Sequence, residues 1–160
     1  MERRDYILRE IEKIGAIINA IRQKIFGSNG NLSLTFEDQI ENTKEMFLNE
    51  VNFSLDKLLD SNTEDSNEYV CSFLGFSIEN IELLAEFLSQ IGFQNSNGSS
   101  RKYLEKAMQL YELCKIKSKT FSFERESNIK AIEDAVERIE KAERTTKGFS
   151  TSGVYHSDNG

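Results

Sequence analysis

The stretch Ile7-Leu-Arg-Glu-Ile-Glu-Lys-Ile-Gly-Ala-Ile-Ile-Asn-Ala-Ile-Arg-Gln-Lys-Ile25 decides the fold class. Its residues Ile7, Ile11, Ile14, Ile18, Ile21 and Ile25 recur at alternating steps of four and three, the heptad period of one helix face. Arg9, Glu10, Glu12, Lys13, Arg22 and Lys24 occupy the other faces. Leu8, Ala16, Ile17 and Ala20 broaden the apolar stripe, which predicts burial on more than one side. Gly27 ends the helix, and the segment 27–31 reads as a flexible turn. An all-isoleucine seam serves a bundle core or self-association, because isoleucine at both inward heptad positions favours higher-order coiled coils.

Outward from that helix the pattern stays helical. No proline interrupts the 160 residues, so the strongest helix breaker is missing. Thr35 precedes Glu37 and Asp38, a hydroxyl cap followed by acids where the helix dipole favours them. Phe36, Ile40, Phe47, Val51, Leu55 and Leu58 follow at helical spacing, with a break near 52–54 where Ser54 caps a short helix to Leu59. Residues 60–67 read as a polar connector and 68–73 as a short helix. Ser77 caps a helix carrying Ile78, Ile81, Leu84, Ala85, Leu88 and Ile91 and ended by Gly92. After the loop-like stretch 94–100, a helix over 100–115 turns Tyr103, Leu104, Ala107, Met108, Tyr111 and Cys114 inward. The last helix spans about 122–144, and Ile129, Ile132, Val136 and Ile139 give it a second heptad seam. The expectation is an all-α bundle or short tetratricopeptide-like array of about six helices with long first and last members. Residues 1–146 form the single domain, and 147–160 a flexible polar tail.

Composition excludes several functions. The net charge of −7 disfavours a nucleic-acid partner, which needs a concentrated basic surface. The charge is uneven: 61–100 holds six acids and no Lys or Arg, whereas 101–147 holds twelve bases and nine acids. Basic and acidic parts of this kind pair within a fold or between subunits. No apolar run reaches the roughly 18–20 residues of a membrane span, and charges interrupt the start where a signal peptide needs an apolar core. Cys71 and Cys114 form no Cys-x-x-Cys spacing, so the chain is expected in the cytoplasm with reduced thiols.

Ile81-Glu-Leu-Leu-Ala-Glu-Phe-Leu-Ser-Gln-Ile-Gly92 and Tyr103-Leu-Glu-Lys-Ala-Met-Gln-Leu-Tyr111 resemble the two helices of a tetratricopeptide-type repeat, with Ala85 and Ala107 as its small contact residues. The connector is longer than in such repeats, the terminal proline is absent, and the pair does not recur. With Arg4-Asp-Tyr-Ile-Leu-Arg-Glu-Ile-Glu12 at the start and Phe121-Ser-Phe-Glu-Arg125 before the last seam, the whole arrangement resembles a group of small bacterial all-helical proteins. The resemblance covers about 3–140. It implies a tetratricopeptide-like helical fold and transfers no activity.

No usable catalytic set appears. The one histidine, His156, lies near the end and cannot activate either thiol through a local motif. Acid pairs such as Glu133 and Asp134 diverge on a helix, and no Glu-x-x-His motif or glycine-rich phosphate loop is present. No catalytic residue, cofactor or metal is assigned. Arg125 opposes the dipole of its own helix, which predicts an acidic partner inside the fold. Lys115, Lys117 and Lys119 at a helix end suit the dipole or an acidic contact. The expected function is a non-enzymatic protein-interaction or scaffold module, partnered by another protein or by itself through helical seams. Ile14, Ile18, Leu84, Leu88, Tyr103, Tyr111 and Arg125 are the candidate contacts, with a peptide groove between the 77–92 and 100–115 helices. The alternative is a small-ligand sensor with a pocket lined by Phe47, Phe73, Phe87 and Tyr111.

Overall fold

The computed structural model describes residues 2–27, 35–95 and 98–157, with side chains from Arg3 as far as Thr146. The turn expected over 27–31 and the loop over 94–100 therefore fall partly outside the described residues. Seven helices are described: α1 (Glu2–Phe26), α2 (Phe36–Val51), α3 (Leu55–Asp60), α4 (Thr63–Cys71), α5 (Ile78–Gln94), α6 (Ser100–Ser118) and α7 (Phe123–Ser157).

Local chemistry sets most of the boundaries. The side chains of Thr35, Ser54, Asn62 and Ser77 accept from the backbone N–H groups of Asp38, Lys57, Asp65 and Asn80 and so cap α2, α3, α4 and α5. Ser122 does the same for the amide of Arg125 at the start of α7. The polar run 60–67 is thus not a connector throughout: α4 begins at Thr63. Its Ser66 is wholly buried, satisfied by donating to the Leu58 carbonyl at 3.0 Å, so a polar residue occupies an inward position. Helix α5 passes through Gly92 to Gln94, and α6 continues past 115 until Lys119 adopts φ 56°. Helix α7 continues past Arg144 to Ser157, with the Thr145 and Thr146 hydroxyls donating back to the Lys141 and Ala142 carbonyls.

The antiparallel pair α5–α6 is the spine. At one end the Cys114 thiol lies 3.6 Å from the Ile78 carbonyl; at the other the Ser100 hydroxyl donates to the Gly92 carbonyl at 2.5 Å. Helix α7 runs antiparallel to α6, joined by Asn128–Tyr111 at 3.2 Å and Arg101–Glu140 at 2.8 Å. Helix α1 runs parallel to α5: the Asn80 side-chain amide donates to the Ile11 carbonyl at 2.8 Å, and Arg22 pairs with Glu86 at 2.8 Å. The same Asn80 amide donates to the Gly75 carbonyl, so one buried polar side chain pins α1 to the turn before α5.

Both seams are used inside the chain. Ile14, Ile18 and Ile21 are buried where α1 packs on α5 and α2, and Ile129, Ile132 and Val136 are buried where α7 packs on α6. The α1 seam fades outward, because Ile7, Ile11 and Ile25 are half-buried. Burial of α1 on more than one side is corrected: Leu8 is 51% exposed, and Ala16 and Ala20 are exposed. The stripe is wide, but α2 and α5 cover only the isoleucine side of it.

Candidate functional site

The seven candidate contacts are all internal. Ile14, Ile18, Leu84, Leu88, Tyr103, Tyr111 and Arg125 each keep no more than 6% of their surface exposed. Apolar area removed from water inside the chain is no longer available to stabilise a complex. Nor is there a groove between α5 and α6. Ala85 and Ala107 are fully buried, and a Cβ on Gly92 would meet Leu104 at 2.6 Å, so the two helices close on each other.

The sensor pocket is filled. Phe53, which the periodicity does not single out, is fully buried with ring centroids 5.8 Å from Phe47, 5.1 Å from Phe73, 4.9 Å from Phe76 and 5.1 Å from Tyr69. Phe87 meets Phe47 at 6.5 Å. Tyr111 faces a different space, the acidic groove between α5 and α7 lined by Glu79, Glu82, Glu86 and Glu124. The four residues therefore do not surround one cavity.

Two buried cations hold connections together. Arg125 donates to Glu82 of α5, to the Ser118 hydroxyl at 3.3 Å and to the Thr120 carbonyl at 3.2 Å. That ion pair supplies the acidic partner its position in the first turn demands, and it draws the α6–α7 turn onto α5. Lys106 is 3% exposed and has no carboxylate partner among the described residues. Its ammonium donates to the Ser61 carbonyl, the Ser66 hydroxyl and the Gln109 side chain, and burial lowers its pKa from the usual lysine range. The three acceptors match the three donors of an ammonium, which suits a strut between α6 and the α3–α4 junction.

The thiols differ sharply. Cys71 is exposed, whereas Cys114 is fully buried, and burial pushes its thiol up to about 12. One thiol is therefore expected to react with a maleimide in the folded protein near neutral pH, and the second only after unfolding. Two fast thiols in the native state would contradict the packing at Cys114. Because that pKa is raised on folding, the associated stability is complete below pH 9, the ordinary thiol value, and is lost as pH rises toward 12.

What remains is a surface that the helical periodicity does not reveal. Cys114 is level with Ile78, and Ile11 with Asn80, so three segments share one end of the bundle: residues before Glu10, the turn 72–77, and residues after Cys114. Gly75 confirms the level, since a Cβ there would meet the Glu10 carbonyl at 2.6 Å. Of the eight large apolar side chains exposed among the described residues, six sit at this end: Tyr6, Leu8, Leu74, Ile116, Phe121 and Phe123. Phe121 and Phe123 stack edge-to-face at 4.8 Å and are 67% and 84% exposed. Single exposed apolar residues are ordinary, but their concentration at one end is not. At roughly 200 Å² per aromatic side chain, the three rings alone expose on the order of 400 Å². Lys115, Lys117 and Lys119 are exposed at the end of α6 that leads into this turn, and Lys115 pairs with Glu126 at 3.0 Å.

Among the described residues no group of three or more His, Cys, Asp or Glu is placed to hold a metal ion. No helix among them is long and apolar enough to cross a membrane. Comparison with family models, with characterised proteins and with solved structures finds no match.

Proposed function

We propose that this chain is a non-enzymatic interaction module that holds a polypeptide against the apolar end formed by the α1 start, the 72–77 turn and the α6–α7 turn. The observation that carries the reading is the gathering at that end of six of the eight large apolar side chains exposed among the described residues. Exposed aromatic area of this size costs solvation unless a partner covers it. The buried cations are held by ordinary structural partners, which supports a scaffold over a reaction site. The unpaired state of both cysteines suits a reducing compartment such as the bacterial cytoplasm. The antiparallel α5–α6 pair, with Ala85, Gly92 and Ala107 buried, supports a tetratricopeptide-type reading of the spine.

A photoreactive phenylalanine analogue tests the proposal. Placed at position 123 in cells that make the protein, it is expected to cross-link to a polypeptide. The same probe at position 133, on the exposed side of α7, is expected not to. Equal labelling at both sites, or none at 123, would overturn the proposal.

A further inference from the structure

We propose that a phosphate dianion, free or as a phosphate monoester, binds in the cleft between the start of α6 and the α3–α4 junction, against the ammonium of Lys106. The cleft lies toward the end of the bundle where Ser100 bonds to Gly92, away from the apolar end, and the inference does not rest on the interaction reading above. Ser61, Gly98, Lys102, Lys106 and Gln109 line it. Its volume is about 370 Å³, ample beside the roughly 30 Å³ that one water occupies in the liquid. A Cβ on Gly98 would meet nothing within 4 Å, so this side of the cleft is open.

Lys106 supplies the charge. It is 3% exposed, and among the described residues its ammonium meets only neutral acceptors. Charges inside proteins are ordinarily paired with an opposite charge. Burial, with Lys102 adding repulsion, lowers the Lys106 pKa, as expected of a cation held without an anion. The carboxylates nearby belong to other cations and are wet. Glu105, Glu140 and Glu143 hold Arg101, Asp60 holds Lys102, and these four acidic side chains are between 38% and 63% exposed. Water screens them, whereas the field of a charge withdrawn from bulk water is about four times stronger at the same distance. Lys106 therefore sets the potential inside the cleft. The α6 dipole adds to it: α2, α3, α4, α5 and α7 carry acids in the first turn, and α6 carries none.

The donors can be redirected toward an anion. Two acceptors of Lys106 are fixed: the Ser61 carbonyl is backbone, and the Ser66 hydroxyl is wholly buried and tied to the Leu58 carbonyl. The third, the Gln109 side-chain oxygen at 2.8 Å, stands on a half-buried side chain that lines the cleft. A phosphate oxygen replaces it on the ammonium, and the rotated Gln109 amide then donates to the same anion. Lys102 is exposed and pairs only with Asp60, an exchange that costs little at an exposed ion pair. One buried and one movable ammonium match the two charges of a phosphate dianion, and a carboxylate would leave one of them unanswered.

Titration of the full chain with inorganic phosphate at low ionic strength tests the site, followed by backbone amide shifts. Saturable shifts are expected to be largest at Ser61, Gly98, Lys102, Lys106 and Gln109, and absent at Lys115, Lys117 and Lys119. Lys102→Gln is expected to raise the Kd at least about threefold and Lys106→Met at least about tenfold, whereas Lys130→Gln, outside the cleft, leaves it unchanged. Acetate is expected to bind at least about tenfold more weakly than phosphate. Tighter binding of glycerol 1-phosphate than of inorganic phosphate would assign a monoester, and the reverse order free phosphate; either upholds the site. Should Lys106→Met fail to fold, the wild-type shifts and Lys102→Gln still decide. No saturation by about 10 mM, shifts led by Lys115, Lys117 and Lys119, wild-type affinity in Lys102→Gln, or acetate binding as well as phosphate would each overturn the proposal.

Discussion

Phe53→Ala is expected to destabilise the fold by about 3–5 kcal/mol, the range for truncating a buried aromatic ring in a packed core. For a chain of this length that lowers the melting temperature by roughly 10–15 °C. The argument begins with the backbone. Asn52 adopts the left-handed conformation at φ 56°, which asparagine tolerates better than most residues. That reversal directs the Phe53 amide to the Phe47 carbonyl at 3.2 Å and drops the ring of Phe53 into the core. There it lies within 6 Å, centroid to centroid, of Phe47, Tyr69, Phe73 and Phe76, rings carried by α2, α4 and the turn before α5. Removing it unpacks three elements at once, and Tyr69, whose hydroxyl accepts from the Ser54 amide at 2.8 Å, loses the ring that orients it. Urea unfolding followed by circular dichroism measures the loss. Phe123→Ala is the control: at 84% exposure its effect is expected within about 0.5 kcal/mol. A Phe53→Ala variant within 1 kcal/mol of the wild type would show that this ring is not where the core is joined.

The contrast between those two phenylalanines marks what the sequence makes legible. Periodicity located the helices, because burial on a helix must repeat every three or four residues whatever the partner is. It located the two isoleucine seams for the same reason. It passed over Phe53 because that residue sits in a three-residue break between helices, where no period exists to predict its direction. The run 60–67 reads as a connector because its residues are all polar, and only three-dimensional neighbours show that Ser66 and Lys106 satisfy each other in the interior. Arg125 was within reach. It occupies the next position back on the α7 seam, four residues before Ile129, so burial followed from spacing and an acidic partner from charge. Phe121 and Phe123 lie off that seam on either side of the capping Ser122, which is the one sequence signal that they face outward. The apolar end as a whole was not legible. It depends on Tyr6, Leu74 and Phe123, residues far apart in the chain, being brought level by the α1–α5 and α5–α6 registers.

Those registers make Gly92→Val the second large prediction, at a cost of about 3 kcal/mol. Glycine inside a helix ordinarily weakens it by about 1 kcal/mol relative to alanine, so a surface site would gain from the change. Gly92 is different because it is where α5 and α6 touch. A Cβ there would lie 2.6 Å from the Leu104 Cγ, 2.7 Å from its Cδ2 and 3.2 Å from its amide nitrogen. Leu104 is 1% exposed and has no free space to turn into, and the amide belongs to a helix that cannot move without shifting its neighbours. The Ser100 hydroxyl bonded to the Gly92 carbonyl holds the two backbones at that separation. Gly92→Ala should therefore still cost about 1 kcal/mol after the propensity gain, and Gly98→Ala, with open space around its Cβ, should cost nothing measurable. Truncating Leu104 separates steric conflict from any other effect. If the close approach is the cause, Leu104→Ala relieves Gly92→Val, and the double variant is more stable than the sum of the two losses by at least about 1 kcal/mol. Strict additivity would mean that the helices do not meet at this pair. The α6–α7 turn would then have no fixed level against α1, and the apolar end would lose the geometry on which its proposed role depends.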